Sequence, residues 1–399
     1  MGGGHQVAAG DGVAVTVKAG ALAPAIRATR LVFLTAGIGV SAWAPMVPYA
    51  KVRLGLDDAT LGLVLLAFGG GSMVSMPLVG FLTHRFGSRR VIVAGGLLTC
   101  LVLPLLALVP DGQALAVALL FFGAGLGAVD VAMNAHAVEV ERRAGRPLMS
   151  GFHGMFSIGG LGGAAGMSAL LASGVPLAVA AATVSALLLA TVLTQWPSLL
   201  DEVAWTAHRP ALAMPRGVVL LLGLLCLISF LAEGSMLDWS ALLLRDDRGF
   251  SDASAGIGYA MFSVAMALGR LTGDRAVARL GPVRAVRVGA CMGAAGFMMA
   301  SLLPWPWVSL AGFVLVGVGA ANIVPVMFGA AGRLPGTSPG IAIATVTTLG
   351  YVGLLCGPAA VGFVAHASSL PLALAGVGAM LLLTAASARV VGPDLPTLR

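Results

Sequence analysis

Residues 59–90 read ATLGLVLLAFGGGSMVSMPLVGFLTHRFGSRR. Nothing from Ala59 to Leu82 is charged, and the run then meets His84, Arg85, Arg89 and Arg90. At 1.5 Å per helical residue, about 20 residues cross the roughly 30 Å hydrocarbon core of a bilayer, so the run predicts a membrane-spanning helix closed by a basic loop. The same pattern recurs outward in both directions. Apolar runs bounded by charge, Pro or Gly fall at 28–50, 59–82, 90–109, 113–139, 147–173, 176–195, 217–243, 253–273, 284–303, 306–331, 339–365 and 370–391, giving twelve expected spans. Composition agrees: 58% of the 399 residues are hydrophobic and 10% charged, whereas soluble domains carry about 25% charged residues. The solvent for most of this surface is lipid.

Basic residues set the expected orientation, because Lys and Arg stay on the cytoplasmic side. Of the 23, only Lys51, Arg53, Arg245 and Arg248 fall outside if both termini are inside. The reading is therefore a multi-pass protein of the cytoplasmic (inner) membrane with both ends cytoplasmic. The net charge of +7 is scattered over short loops and forms no continuous patch, so nucleic acid is not an expected partner. Cys100, Cys226, Cys291 and Cys356 sit in apolar runs without CxxC spacing, which predicts neither disulfide nor zinc. No phosphate loop, HExxH or nucleophile with a base is present, so no cofactor, metal or enzyme activity is expected.

An internal repeat divides the chain. Gly125-Leu-Gly127-Ala-Val-Asp130 returns 192 residues on as Gly317-Val-Gly319-Ala-Ala-Asn322, and His153 and Ser157 to Gly159 fall opposite Thr347 and Tyr351 to Gly353 at an offset of 194. The expected organisation is a tail at 1–27, a six-helix bundle at 28–196, a linker at 197–216 and a second bundle at 217–399. Parallel repeats of this kind place a shared cavity between them near the midplane.

Charge inside a span is costly, about 2.5 to 3.5 kcal/mol per carboxylate even on insertion scales, so such residues face water, protein or a solute. Asp130 and Asn134 lie four apart on one helix face, a titratable acceptor beside an amide able to read hydroxyl groups. His153, near the start of helix five, sits at a depth where Asn134 can meet it, either as a donor or relay or as a packing histidine. Glu233 and Asp238 in helix seven point about 140° apart. Glu233 is the better cavity candidate and Asp238 belongs with an outer gate; Gly234 between them offers a bend. Asn322 and Tyr351 join the set through the repeat. Trp43, with Pro45 and Pro48, is read equally as a cavity wall at a kink and as an interfacial anchor.

The loop Gly80-Phe-Leu-Thr-His84-Arg85-Phe-Gly87-Ser-Arg89-Arg90 resembles the signature of the major facilitator superfamily, G-x-x-x-D-R-x-G-R-R. A degenerate counterpart runs Gly269-Arg270-Leu-Thr-Gly-Asp274-Arg275. The resemblance implies an all-α membrane protein of the major facilitator fold, twelve helices in two pseudo-symmetric six-helix bundles that alternate access to a small solute, as a monomer. It also implies a gating latch built from Gly80, His84, Arg85, Gly87, Arg89, Arg90, Asp274 and Arg275, in which His84 replaces the family's Asp. Asp130, Asn134, Glu139, His153, Phe156, Ser157 and Gly159 resemble the helix-four to helix-five segment of bacterial fucose-permease-like facilitators. That likeness implies sugars or sugar-like solutes, with Asp130 or Glu233 coupling them to protons. Efflux of amphipathic compounds and a receptor that keeps the fold without transporting stay open as alternatives.

Overall fold

The computed structural model describes residues 22–200, 217–251, 255–335 and 337–392, which are helical with no strand among them. The first half comprises α1 (Leu22–Ala42), a 3-10 turn (Ala44–Met46), α2 (Val47–Leu54), α3 (Asp58–Phe86), α4 (Ser88–Leu105), α5 (Gly112–Ala144), α6 (Met149–Ala172) and α7 (Leu177–Gln195). The second comprises α8 (Val218–Leu242) with a π turn (Leu243–Asp247), α9 (Ile257–Leu280), α10 (Pro282–Leu302), α11 (Pro306–Ala320), α12 (Ile323–Ala331), α13 (Pro339–Ala367) and α14 (Leu370–Ala386). Counting α1 with α2 and α11 with α12, ten units are long and apolar enough to cross a membrane on composition alone. The others, α9 and α14, complete the twelve. α14 has 17 residues, and α9 carries Arg270, Asp274, Arg275 and Arg279.

The sequence repeat becomes a packing repeat. α1 lies on α6, α3 on α5, and α4 on α5 and α7; in the second half α8 lies on α13, α9 on α11, and α10 on α11 and α14. Small residues allow this closeness, since lipid leaves no hydrophobic drive between helices and van der Waals contact decides. A Cβ on Gly123 would stand 2.0 Å from the Phe68 carbonyl oxygen, and one on Gly353 2.2 Å from that of Leu227.

One span expected to be continuous is interrupted, and another is kinked where its prolines predict. Helix ten breaks at Ala321 and Asn322 because Pro325 has no N–H for the Ala321 carbonyl and its ring crowds that group. Helix one is already helical at Leu22, ahead of the expected 28, and the kink read from Pro45 and Pro48 falls at Trp43 to Met46. At Gly234 α8 continues without a break, and the irregular turn lies at Leu243–Asp247. Of the expected linker, residues 201–216 lie outside the described residues, as do 1–21 of the tail.

Local signals fix the helix starts. Asp57 and Asp111, both extended, accept the backbone N–H of Thr60 at 2.7 Å and of Ala114 at 2.8 Å. Asp111→Ala is expected to cost about 1 kcal/mol, a fall of about 2 to 4 °C in the melting midpoint of the detergent-solubilised protein. An unchanged midpoint would mean that water replaces the cap at no cost.

The two halves meet mainly through α3 with α13 and α6 with α9. Their closest approaches lie towards the end that carries the Gly80–Arg90 loop, here termed the basic end. A Cβ on Gly80 would stand 2.7 Å from Ala344 Cβ, and one on Gly332 2.2 Å from the Val138 side chain.

Candidate functional site

The cluster begins on α5, where Asn134 is fully buried and its amide donates to the Asp130 carbonyl at 2.9 Å and to the Asp130 carboxylate at 3.3 Å. The expected shared face is real. Its Oδ1 lies 3.1 Å from His153 Nε2 on α6; an amide oxygen only accepts, so that nitrogen carries the proton. The imidazole is flanked by Phe33 of α1 at 5.3 Å and by Phe328 of α12 at 5.8 Å, so it stands at the seam between the halves. From the second half, Tyr351 on α13 brings its hydroxyl beside the Asp130 carboxylate.

A second polar group adjoins the first through α6. Arg270 is 8% exposed and lies in the body of α9, not in the loop where the degenerate signature had put it. Its Nη2 stands 3.4 Å from both carboxylate oxygens of Glu233 on α8, and its Nη1 donates to Ser157 Oγ on α6 at 3.2 Å. Ser157 in turn donates to the His153 carbonyl at 3.2 Å. Arg270 was counted with the cytoplasmic loop residues and is lost from that count. The missed signal was Glu233 itself, because a carboxylate inside a span calls for a buried cation.

The basic end holds a cross-half lock. Asp274 on α9 accepts the backbone N–H of Gly151 at 3.1 Å, capping the start of α6 in the other half. Glu141 on α5 accepts from Leu148 and Met149 N–H at 2.7 and 2.9 Å and stands 3.7 Å from Arg333, which follows α12. Neither Glu141 nor Arg333 was singled out by sequence. The corresponding helix start in the second half, α13, is capped by its own Ser338. His84, where the family signature carries an acid, has a buried Nδ1 without a partner. Gly87 adopts φ +81° to join α3 to α4, and Gly281 matches it at +75° between α9 and α10. Arg85 is exposed and sits over the Phe86 ring at 5.4 Å; Arg90 and Arg275 are exposed, and Arg89 is half-buried.

The remaining candidates stand apart. Trp43 is buried in the core of the first bundle beside Ala42 and Met46. Asp238 is exposed. Glu139 pairs with Arg142 and Arg143 of its own helix. Asn322, at the break before α12, donates to the Gly269 carbonyl at 3.3 Å while its Oδ1 is buried without a partner. An apolar crevice lined by Val32, Thr99 and Leu188 lies within the first bundle and takes in none of these groups.

The family model of the Major Facilitator Superfamily matches residues 31–338. An uncharacterized MFS-type transporter of Yersinia pestis is 48% identical over 388 residues, covering 97% of this chain and 98% of the relative. Among solved structures, the MFS transporter FucP in the outward conformation superimposes with a TM-score of 0.80 at 16% identity, covering 93% of this chain and 99% of that one. XylE superimposes at 0.70 with 13% identity, covering 93% and 95%.

Proposed function

The chain belongs to the major facilitator superfamily of membrane transporters, and from that premise we propose that it is a secondary transporter coupling a small hydroxylated, sugar-like solute to protons by alternating access. One observation carries the proposal: the Asp130 carboxylate of one half, held by Asn134, faces the Tyr351 hydroxyl of the other. A proton on Asp130 changes what it offers Tyr351, and rocking of the halves changes whether Tyr351 is there at all. Proton and conformation are thereby linked through one contact.

Asn134 and His153 add neutral hydrogen-bonding groups beside that acid, suited to hydroxyls. FucP bears the description fucose:proton symporter and XylE that of proton:xylose symporter, which supports the same substrate class. The basic end is assigned to the cytoplasm and the protein to the inner membrane with both termini inside, so the closed seam at Gly80 and Asp274 corresponds to an outward-facing state. Asp274, Glu141 and Arg333 then form the inner gate.

The test is a thermal-shift screen of sugars and sugar acids on purified protein, followed by counterflow in proteoliposomes. Saturable exchange of a stabilising solute is expected. A receptor would bind without exchange and a channel would leak without counterflow, and either result removes the proposal.

A further inference from the structure

Arg270 is a charge buried at the seam whose hydrogen-bonding capacity is only partly met. A guanidinium offers five N–H donors in a planar fork suited to two oxygens of one carboxylate. Here Nη1 is held by Ser157 at 3.2 Å, Nη2 reaches Glu233 only at 3.4 Å, and Nε is buried with no partner at all. Charge-assisted pairs close to about 2.7 to 2.9 Å when nothing prevents them, so Glu233 is a loose partner and one edge of the fork stands open. The pair is not sealed off: 10% and 16% of the two side-chain surfaces stay accessible. Three helices from both halves supply it, α6, α8 and α9.

We infer that Arg270 is the receptor for an anionic group on the solute, a carboxylate on a hydroxylated carbon skeleton such as a sugar acid. The inference rests on the transporter reading above and narrows its substrate class. The solute carboxylate takes the open Nε and Nη2 edge, displacing Glu233 from a contact it holds only weakly. Two carboxylates on one buried cation would leave a net negative charge, so Glu233 takes a proton on its carboxylate as the solute binds and returns it when the solute leaves. The other titratable groups that act on the pair are His153 on α6, across the seam, and Cys226 on α8. The solute hydroxyls face the amide of Asn134 and the imidazole of His153 in the adjoining cluster.

Matched probes test this: D-glucose, D-glucuronate and the methyl ester of glucuronate, with the galactose and mannose series alongside. At least one acid should stabilise the protein and undergo counterflow, with its neutral sugar and ester at least about tenfold weaker. Arg270→Gln should weaken acid binding by about 10- to 100-fold. Because a lone buried Glu233 could unfold that variant, the double substitution Arg270→Gln with Glu233→Gln removes both charges together and should show the same loss while remaining folded. Glu233→Gln alone should keep acid binding and flatten its pH dependence. Acids that bind the double variant as they bind the wild type overturn the inference. Neutral sugars that exchange while all acids fail overturn it but leave the transporter reading standing; if no solute exchanges, both fall.

Discussion

Asp130→Asn is expected to take away one power of ten of solute accumulation for each unit of inward pH gradient, while leaving counterflow exchange near the wild-type rate. Each proton carried per solute sustains about tenfold accumulation per pH unit, since one pKa unit and one decade of concentration share the same 1.36 kcal/mol. The amide keeps the shape of the carboxyl, can still meet the Tyr351 hydroxyl, and can still accept from Asn134, whose Nδ2 stands 3.3 Å from Asp130 Oδ1. It cannot carry a proton through the cycle. Exchange needs no net proton movement, so only the share of the gradient dependence that Asp130 carries should vanish, and any share carried by Glu233 stays. Measuring accumulation of a radiolabelled solute at several imposed gradients gives the slope directly. An unchanged slope assigns the coupling elsewhere, whereas loss of exchange as well makes Asp130 a binding or structural group.

The parts of this cluster that could be read from sequence are those joined by helical spacing or by the repeat. Asp130 and Asn134 are four residues apart, which fixes their common face before any tertiary contact exists. Tyr351 came from its register with Ser157 in the repeat, and Asn134 meeting His153 from depth alone. The twelve spans followed from apolar runs, because lipid forces every backbone group to be satisfied within its own helix. Arg270 escaped for a physical reason. It lies among Asp274, Arg275 and Arg279 on one helix, and a basic series near the end of an apolar run looks the same whether its first member is at the surface or two turns inside. Glu141 and Arg333 escaped because their relation exists only when the halves close, and no periodicity within one helix encodes it. The break at Asn322 was available in Pro325, three residues on; a proline that close to a would-be helix interior removes a donor and displaces a carbonyl.

Gly80→Leu should move the protein away from the state closed at the basic end without unfolding either bundle. Gly80 on α3 faces α13 of the other half, where an added Cβ would lie 2.7 Å from Ala344 Cβ and 3.3 Å from the Gly340 carbonyl oxygen. Forcing a larger side chain into a packed interface costs about 1 to 3 kcal/mol. Within a bundle that cost falls on folding, as it would for Gly123, whose Cβ would press on the Phe68 backbone of the same half. Between the halves there is an escape, because the seam can open and the alternative conformation takes the population. A cost of 1 to 3 kcal/mol charged to one state alone shifts a two-state equilibrium by about 5- to 150-fold. Spin labels at Arg85→Cys and Arg279→Cys, exposed residues of opposite halves, report the separation at that end once Cys100, Cys226, Cys291 and Cys356 are replaced. Their distance distribution should gain a longer component in Gly80→Leu, and solute-driven return to the closed seam should weaken. In contrast, Gly123→Leu should lower folded yield and leave the distances of whatever folds unchanged. Identical distances and identical transport in wild type and Gly80→Leu would mean that the α3 to α13 contact yields locally, and the closed seam would then have to be credited to Asp274, Glu141 and Arg333 alone.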